Sequence, residues 1–223
     1  MAMNKTPVFT NHASRPANPL ASQEVFKSVY RGRQSALHHM AYMRMAKVLL
    51  AMHILEKAGV SLIHKSIFDY GFGAGTFFRY CPASAHIAGV EMDPENVSDA
   101  QENLKARGFA SLRLESISIS DWEAHPLLQQ QYDLFLCSHV LEHLPDPVAF
   151  LRRIRTCIKP GGFLVGLLPI NERYANPHHI HACDQATIQQ WAAQSGMTIC
   201  SYLESDPWLY RAQFLFVSDT GAR

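Results

Sequence analysis

The 223-residue chain predicts an α/β fold, doubly wound around a mainly parallel sheet. Three observations predict it. Short apolar runs alternate with helical patterns from residue 66 onward. A glycine-rich turn closes the first of these runs and leads straight into a helical pattern. The last two apolar runs are joined by a loop alone, which permits an antiparallel pair but no crossover.

Taken in order, residues 1–20 hold Pro7, Pro16, Pro19 and few large apolar groups, and read as a flexible arm. A short helix is expected over Ser22–Tyr30, with Ser22 as N-cap. A long helical pattern runs from Gln34 to Lys57 and stops at Gly59. On it Leu37, Met40, Ala41, Met45, Val48, Leu49, Met52 and Leu55 predict one apolar face. Residues 21–60 read as an N-terminal helical lid and 61–223 as the main domain. Its expected strands are Ser66–Tyr70, His86–Glu91, Leu112–Glu115, Tyr132–Ser138 and Gly162–Leu168. Helices are expected at Thr76–Tyr80, Pro94–Arg107, Trp122–Gln130, Pro147–Ile158 and Gln185–Ser195. Met197–Leu203 and Gln213–Val217 form a closing antiparallel hairpin, which brings the sheet to seven strands.

Composition narrows the partners. The formal net charge is +1 and charged residues make up 17%, so no long-range field draws in a polyanion, and nucleic acid is disfavoured as main partner. The sequence RRIR at 152–155 lies on an amphipathic pattern and reads as a solvated face. The five cysteines, Cys81, Cys137, Cys157, Cys183 and Cys200, form no C-x-x-C pair and read as buried thiols of a reducing compartment. The amino-terminal residues lack the apolar core of a signal peptide, and no apolar stretch is long enough to span a membrane. A cytoplasmic protein is expected, monomer or homodimer, with no membrane association.

The chemistry concentrates around IFDYGFGAGTFFR, residues 67–79. Gly71, Gly73 and Gly75 follow Asp69 at the carboxyl end of a strand, where α/β sheets bind ligands. Glycine admits positive φ and lets a ligand rest on bare main chain. Glu91 ends the next strand, where a nucleoside-binding unit places the acid that holds the ribose hydroxyls. Asp93 and Pro94 beside it read as a helix N-cap and N1. Thr76 stands where a dinucleotide fingerprint wants its third glycine, and no Lys follows as a P-loop requires. A nucleoside without a phosphate chain fits best.

With these blocks assembled, the chain resembles the class I S-adenosylmethionine-dependent methyltransferases, small-molecule branch. The resemblance lies in DYGFGAG, GVEMDP, YDLFLCSHVLEHLPDP and IKPGGFLVGLLP, in that order between about residues 64 and 170. It implies a Rossmann-like fold, S-adenosylmethionine as cofactor with S-adenosylhomocysteine as product, and a small-molecule methyl acceptor, as in natural-product biosynthesis. It further implies that the glycine main chain meets the methionine part, that Asp69 fixes that loop, and that Glu91 holds the ribose. Met92 then packs on adenine, Asp121 and Trp122 meet its edge and ring, and the Cys137–His139 stretch lies under the sulfonium. Asp121 reads equally as a helix N-cap.

An acceptor hydroxyl needs a base, typically His or a carboxylate. His139, Glu142 and His143 lie past the fourth strand; the latter two read as bonds to nearby loops, while His139 faces either way. NERYANPHHIHACD, residues 171–184, gathers Tyr174, Asn176, His178, His179 and His181 on a loop that in this class walls the acceptor pocket. His178 and His181 sit at i and i+3, but no Cys or carboxylate completes a metal set, and no metal is expected. Tyr30, His38 and Tyr42 are polar groups where a lid would meet substrate, and Arg33, or Arg31 near it, suits a clamp on the cofactor carboxylate. The reading is O-methylation ahead of N- or C-methylation. Its rivals are a non-catalytic cofactor-binding module, an RNA-directed methyltransferase and a nicotinamide-dependent oxidoreductase.

Overall fold

The computed structural model describes residues 37–118, 120, 122–170, 179–204 and 211–218, with side chains omitted for 37–44 and 211–218. The expected arm over 1–20 and the short helix over Ser22–Tyr30 lie outside the described residues.

Helix α1, Leu37–Lys57, ends as expected at Gly59, whose φ of +69° suits glycine alone. Among its described side chains, Val48, Ala51, Ile54 and Leu55 are buried. Of the expected face, Val48 and Leu55 are buried and Met52 packs against the core, but Met45 and Leu49 are exposed, Leu49 by 56%, while Ala51 and Ile54 are buried instead. Apolar residues surround this helix almost all round, so spacing alone did not select the core-facing stripe.

Five strands follow, β1 (Ser66–Tyr70), β2 (His86–Glu91), β3 (Ser111–Ser116), β4 (Tyr132–Ser138) and β5 (Ile158–Pro169), paired in parallel. Strands β6 (Met197–Glu204) and β7 (Arg211–Ser218) close the seven-stranded sheet in the order β3-β2-β1-β4-β5-β7-β6. The hairpin is antiparallel as expected, and β7 inserts between β5 and β6. The sheet order reverses between β1 and β4, which makes the carboxyl ends of these strands the switch-point crevice.

Ile67 and Phe68 fall in different core clusters, as do Leu134 and Phe135, because successive strand residues face opposite sides. Phe68 packs its ring 4.8 Å from those of Tyr132 and Phe135. Helix α2, Pro94–Lys105, joins α1 on one face, where Leu104 lies with Ile54 and Leu55. Helices α3 (Pro147–Arg155) and α4 (Gln185–Ser195) cover the other, with Phe150, Leu151, Ile188 and Trp191. Side-chain caps start each of these three helices: Asp93 accepts from Glu95 N, Asp146 from Ala149 N and Asp184 from Thr187 N.

Three expected helices differ. Thr76–Tyr80 is a single 3-10 turn, Phe77–Tyr80, halted ahead of Pro82. Trp122–Gln130 is split into Trp122–Ala124 and Pro126–Gln129, because Pro126 forces His125 into extended backbone, with ψ at 131°. Helix α3 stops at Arg155, and β5 begins early, at Ile158. Four cysteines are buried as expected, but Cys200 is exposed. The 152–155 guanidiniums serve the fold: Arg152 donates to Gln194 O, and Arg153 to Leu128 O and Glu123 O. No described helix is long and apolar enough to cross a membrane.

Candidate active site

The glycine turn leaves β1 at the switch point and is held to β2, where Gly71 N donates to Val90 O at 2.8 Å. Gly71, Gly73 and Gly75 have φ of +74°, +54° and +65°. They differ in what a side chain would meet. At Gly75 a Cβ would come within 3.1 Å of Leu104 Cδ1, and at Gly71 within 3.3 Å of Val140 Cγ2; at Gly73 it would meet nothing within 4 Å. Gly75 thus seats the turn on α2, Gly71 admits the segment after β4, and Gly73 faces open space, as a ligand-bearing turn requires.

Glu91 is buried at the end of β2. Its Oε2 accepts from Gly73 N at 2.8 Å, and its Oε1 from Met92 N and Asp93 N at 2.9 and 3.1 Å. Burial raises its pKa, against the three main-chain donors that favour the carboxylate. The sequence assigned loop-fixing to Asp69 and the ribose to Glu91; here Glu91 itself clamps the turn, with one lone-pair site left on Oε2. Asp69 is buried with Oδ1 lacking a hydrogen-bond partner. Burial first, and the Glu91 charge second, push its pKa up to about 8. Two buried acids thus stand together, one held by three main-chain N–H donors with a single acceptor site left and one without a partner on Oδ1. A group bearing positive charge and hydrogen-bond donors suits the unpartnered Asp69 oxygen.

Toward β3, Met92 and Trp122 are half-buried against the core. Trp122 packs on Phe150 at 5.0 Å and edge-on to Tyr70 at 6.1 Å, an aromatic wall suited to a flat ring. Asp121 lies outside the described residues, as do Tyr30, Arg33, Tyr174, Asn176 and His178, and the side chains of His38 and Tyr42.

The other end of the crevice is built from the segment after β4. Cys137 is 1% exposed and its side chain belongs to the core, so only its main chain reaches the site. His139 adopts φ +57°, uncommon outside glycine, with its N–H bonded to Leu167 O at 2.8 Å. Its Nδ1 lies 3.0 Å from Oε1 of Glu142, a residue with no exposed surface. His143 Nε2 is 3.9 Å from the same oxygen. Burial raises the Glu142 pKa, opposed by the charges of His143, His179 and Lys47.

Two long-range bonds bring the 179–181 stretch here. Ile180 N donates to Glu142 O, and His181 Nε2 lies 2.8 Å from Leu144 O. His181 also packs edge-on against Trp191, and His179 against His143 at 4.9 Å. Glu142, His143 and His179 consequently place one ligand-type atom each within 4.8 Å of one another. The structure brings together His139, His179 and the LEH turn, and occupies His181 in holding the loop.

Sequence reasoning missed Gly89 and the depth of Glu142. A Cβ at Gly89 would lie 2.8 Å from Phe72 Cδ1 and 3.0 Å from Asp69 O. A glycine inside a strand signals such close approach and could have flagged it. Glu142 carried no local signal beyond its place between Leu141 and His143.

Comparison with known proteins agrees with this geometry. A family model described as a methyltransferase domain matches residues 68–166. A ubiquinone biosynthesis O-methyltransferase of Aeromonas salmonicida is 33% identical over 110 residues, covering 49% of this chain and 44% of that protein. The enzyme of the same name from Sodalis glossinidius is 28% identical over 169 residues, covering 70% of this chain and 64% of that protein. The aligned stretches thus span about half to two thirds of those relatives. Among solved structures, magnesium protoporphyrin IX methyltransferase from Synechocystis PCC 6803, with bound SAH, superposes with a TM-score of 0.69 at 14% identity, over 89% of this chain and 99% of that one. That likeness establishes the fold.

Proposed function

We propose that the chain, whose residues 68–166 match a methyltransferase-domain family model, is an S-adenosylmethionine-dependent O-methyltransferase of a small hydroxyl-bearing acceptor. The observation that carries this is the open face at Gly73 between the Glu91 clamp and the buried, unpartnered Asp69 oxygen. The relatives are O-methyltransferases of ubiquinone biosynthesis, which favours oxygen as the methyl-accepting atom.

Bound S-adenosylmethionine supplies an electrophilic methyl group on sulfur. In this reading the main chain at Gly73 carries its methionine part, and Asp69 answers its ammonium. Glu91 offers its remaining lone pair to the ribose. Met92, Trp122 and Asp121 hold the adenine, and Arg33 the carboxylate. Residues 21–60 close over the acceptor, with Tyr30, His38 and Tyr42 against it; Tyr174 and Asn176 line its far side. One of His139, His178, His179 and His181 takes the hydroxyl proton while the acceptor oxygen is held in line about 3 Å from the methyl carbon.

Calorimetry with S-adenosylmethionine and S-adenosylhomocysteine tests the first half. Micromolar binding of both is expected; no heat with either at millimolar concentration would end the reading. A panel of catechols and hydroquinones, assayed for methyl ethers by mass spectrometry, tests the second.

A further inference from the structure

We propose that Glu142, His143 and His179 form a binding site for a zinc-type divalent transition-metal ion, with one coordination position left open. The site itself stands apart from the O-methyltransferase reading. Assigning its open position to the acceptor oxygen deepens that reading and rests on it.

The carboxylate that the histidine loop lacks along the chain is supplied by the fold. Glu142 and His143 are neighbours on the single 3-10 turn Leu141–His143 after β4. His179 arrives from the loop before α4. Ile180 N donates to Glu142 O at 2.8 Å, and His181 Nε2 lies 2.8 Å from Leu144 O, so the chain just past His179 is moored to this turn. The His179 ring stands edge-on to that of His143, 4.9 Å away with 72° between the planes. One ligand-type atom from each of the three residues then lies within 4.8 Å of the other two.

Glu142 points to an occupant. It has no exposed surface, and among the described residues neither of its oxygens has a hydrogen-bond partner of good geometry. A buried carboxylate left so is costly unless a cation meets it. The nearest imidazole nitrogens do not serve as donors. His139 Nδ1, at 3.0 Å, makes no hydrogen bond with Oε1, and His143 Nε2 stands 3.9 Å from it. A charge-assisted N–H···O bond would measure about 2.8 Å. Two ligands on one zinc ion, each roughly 2.1 Å from the metal, sit about 3.4 Å apart in a tetrahedron and at most about 4.2 Å apart. The 3.9 Å gap is thus too long for a bond and within the span of a shared ion. The 4.8 Å limit of the whole group closes on an ion by side-chain movements of about 1 Å.

Two imidazoles and one carboxylate suit Zn²⁺ and its first-row neighbours, whereas Mg²⁺ and Ca²⁺ take oxygen ligands. Three protein ligands leave a position open. The His143 side chain is 26% exposed and His179 is half-buried, so the ion is reached from their side. The turn also abuts the glycine turn, since Val140 Cγ2 would lie 3.3 Å from a Cβ on Gly71. An acceptor hydroxyl in the open position would stand beside the cofactor site and be made more acidic by the ion. His179, as a ligand, then leaves the set of candidate bases. The charge of Lys47 also reaches the carboxylate, and its ammonium is the rival occupant.

The test uses the full chain, stripped with a chelator, and Zn²⁺ alone as probe. Calorimetry is expected to show one site of micromolar or tighter affinity. Glu142→Gln, His143→Ala and His179→Ala should each weaken it at least as much as the roughly 10–100-fold that loss of a supporting partner costs at zinc sites. X-ray absorption of the zinc-loaded wild type should show two imidazoles bound to the metal, a readout that does not depend on any variant folding. No zinc binding, affinity unchanged in a folded Glu142→Gln, or a metal without two imidazoles overturns the site. S-adenosylhomocysteine binding is measured separately: if zinc binds and S-adenosylhomocysteine does not, the methyltransferase reading fails and the site stands. For the open position, turnover of a catechol should fall at least tenfold after chelation and return with Zn²⁺. Turnover indifferent to chelation overturns the acceptor role.

Discussion

At the scale of single residues, the informative feature is an acid that should not be charged. Asp69 is buried, lacks a partner on Oδ1, and is pushed up to about 8 by burial and by Glu91. Its folded pKa is raised, so its contribution to stability is complete below the unfolded value near 4 and is lost as pH rises through 8. The ligand-free protein should therefore lose thermal stability between pH 5 and 9, and Asp69→Asn should flatten that part of the profile. The same sign governs the binding of a cationic ligand, which favours ionised Asp69. At pH 7, S-adenosylhomocysteine, which carries an ammonium, should displace about one proton. Calorimetry in two buffers of different ionisation enthalpy measures it. A binding heat that ignores the buffer, in wild type as in Asp69→Asn, would refute this account.

At the scale of elements, the loop bearing His179 and His181 depends on helix α4. Asp184 caps that helix, accepting from Thr187 N at 2.7 Å and Thr187 Oγ1 at 2.6 Å. These bonds from Thr187 hold its carboxyl below the usual range. Its contribution is therefore present above the unfolded pKa and lost as pH falls through the folded one. Asp184→Ala should cost about 1 kcal/mol at pH 7 and less at pH 3, read from denaturant midpoints. Hydrogen exchange should quicken first at Thr187 and Ile188; uniform exchange across the chain would count against local anchoring. Elements were also where the sequence was most legible. Ser66–Tyr70, His86–Glu91 and Tyr132–Ser138 were read to the residue because each is an apolar run ended by turn signals. The Asp93 cap was legible for the same local reason. What escaped was long-range. Placement of β7 between β5 and β6, and the bond from Ile180 N to Glu142 O, depend on residues far apart in the chain. So does the burial of Glu142, which turns three scattered histidines into neighbours.

At the scale of the molecule, the two ends of the sheet divide the work. The carboxyl ends carry the glycine turn, the paired acids and the histidine cluster, each strained or incompletely satisfied. The amino ends of β1, β4 and β5 are instead tied by one carboxylate. Asp133 accepts from Ser66 N at 2.9 Å, Ser66 Oγ at 2.6 Å and Lys159 Nζ at 2.8 Å, with Lys65 Nζ 3.5 Å away. Burial would raise its pKa, but the bonds from Lys159 and Ser66 outweigh that and hold it below the ordinary range. Asp133→Ala leaves Ser66 N–H and Lys159 without their acceptor and should destabilise the protein by about 2 kcal/mol, or roughly 4–8 °C in Tm for a domain of this size. Because the folded pKa is depressed, that difference should hold through neutral pH and shrink only below about pH 4. The affinity of the folded protein for S-adenosylhomocysteine should stay within about twofold, since the clamp sits at the opposite end of the strands from Gly73 and Glu91. Gly73→Ala should behave in the reverse way. Its Cβ meets open space, so stability falls only by the strain of a positive φ, about 1 kcal/mol, while the ligand loses its seat and affinity drops at least tenfold. Calorimetry and thermal melts on the two variants measure both quantities. Equal loss of affinity in Asp133→Ala and Gly73→Ala would show that the ends of the sheet are not separable.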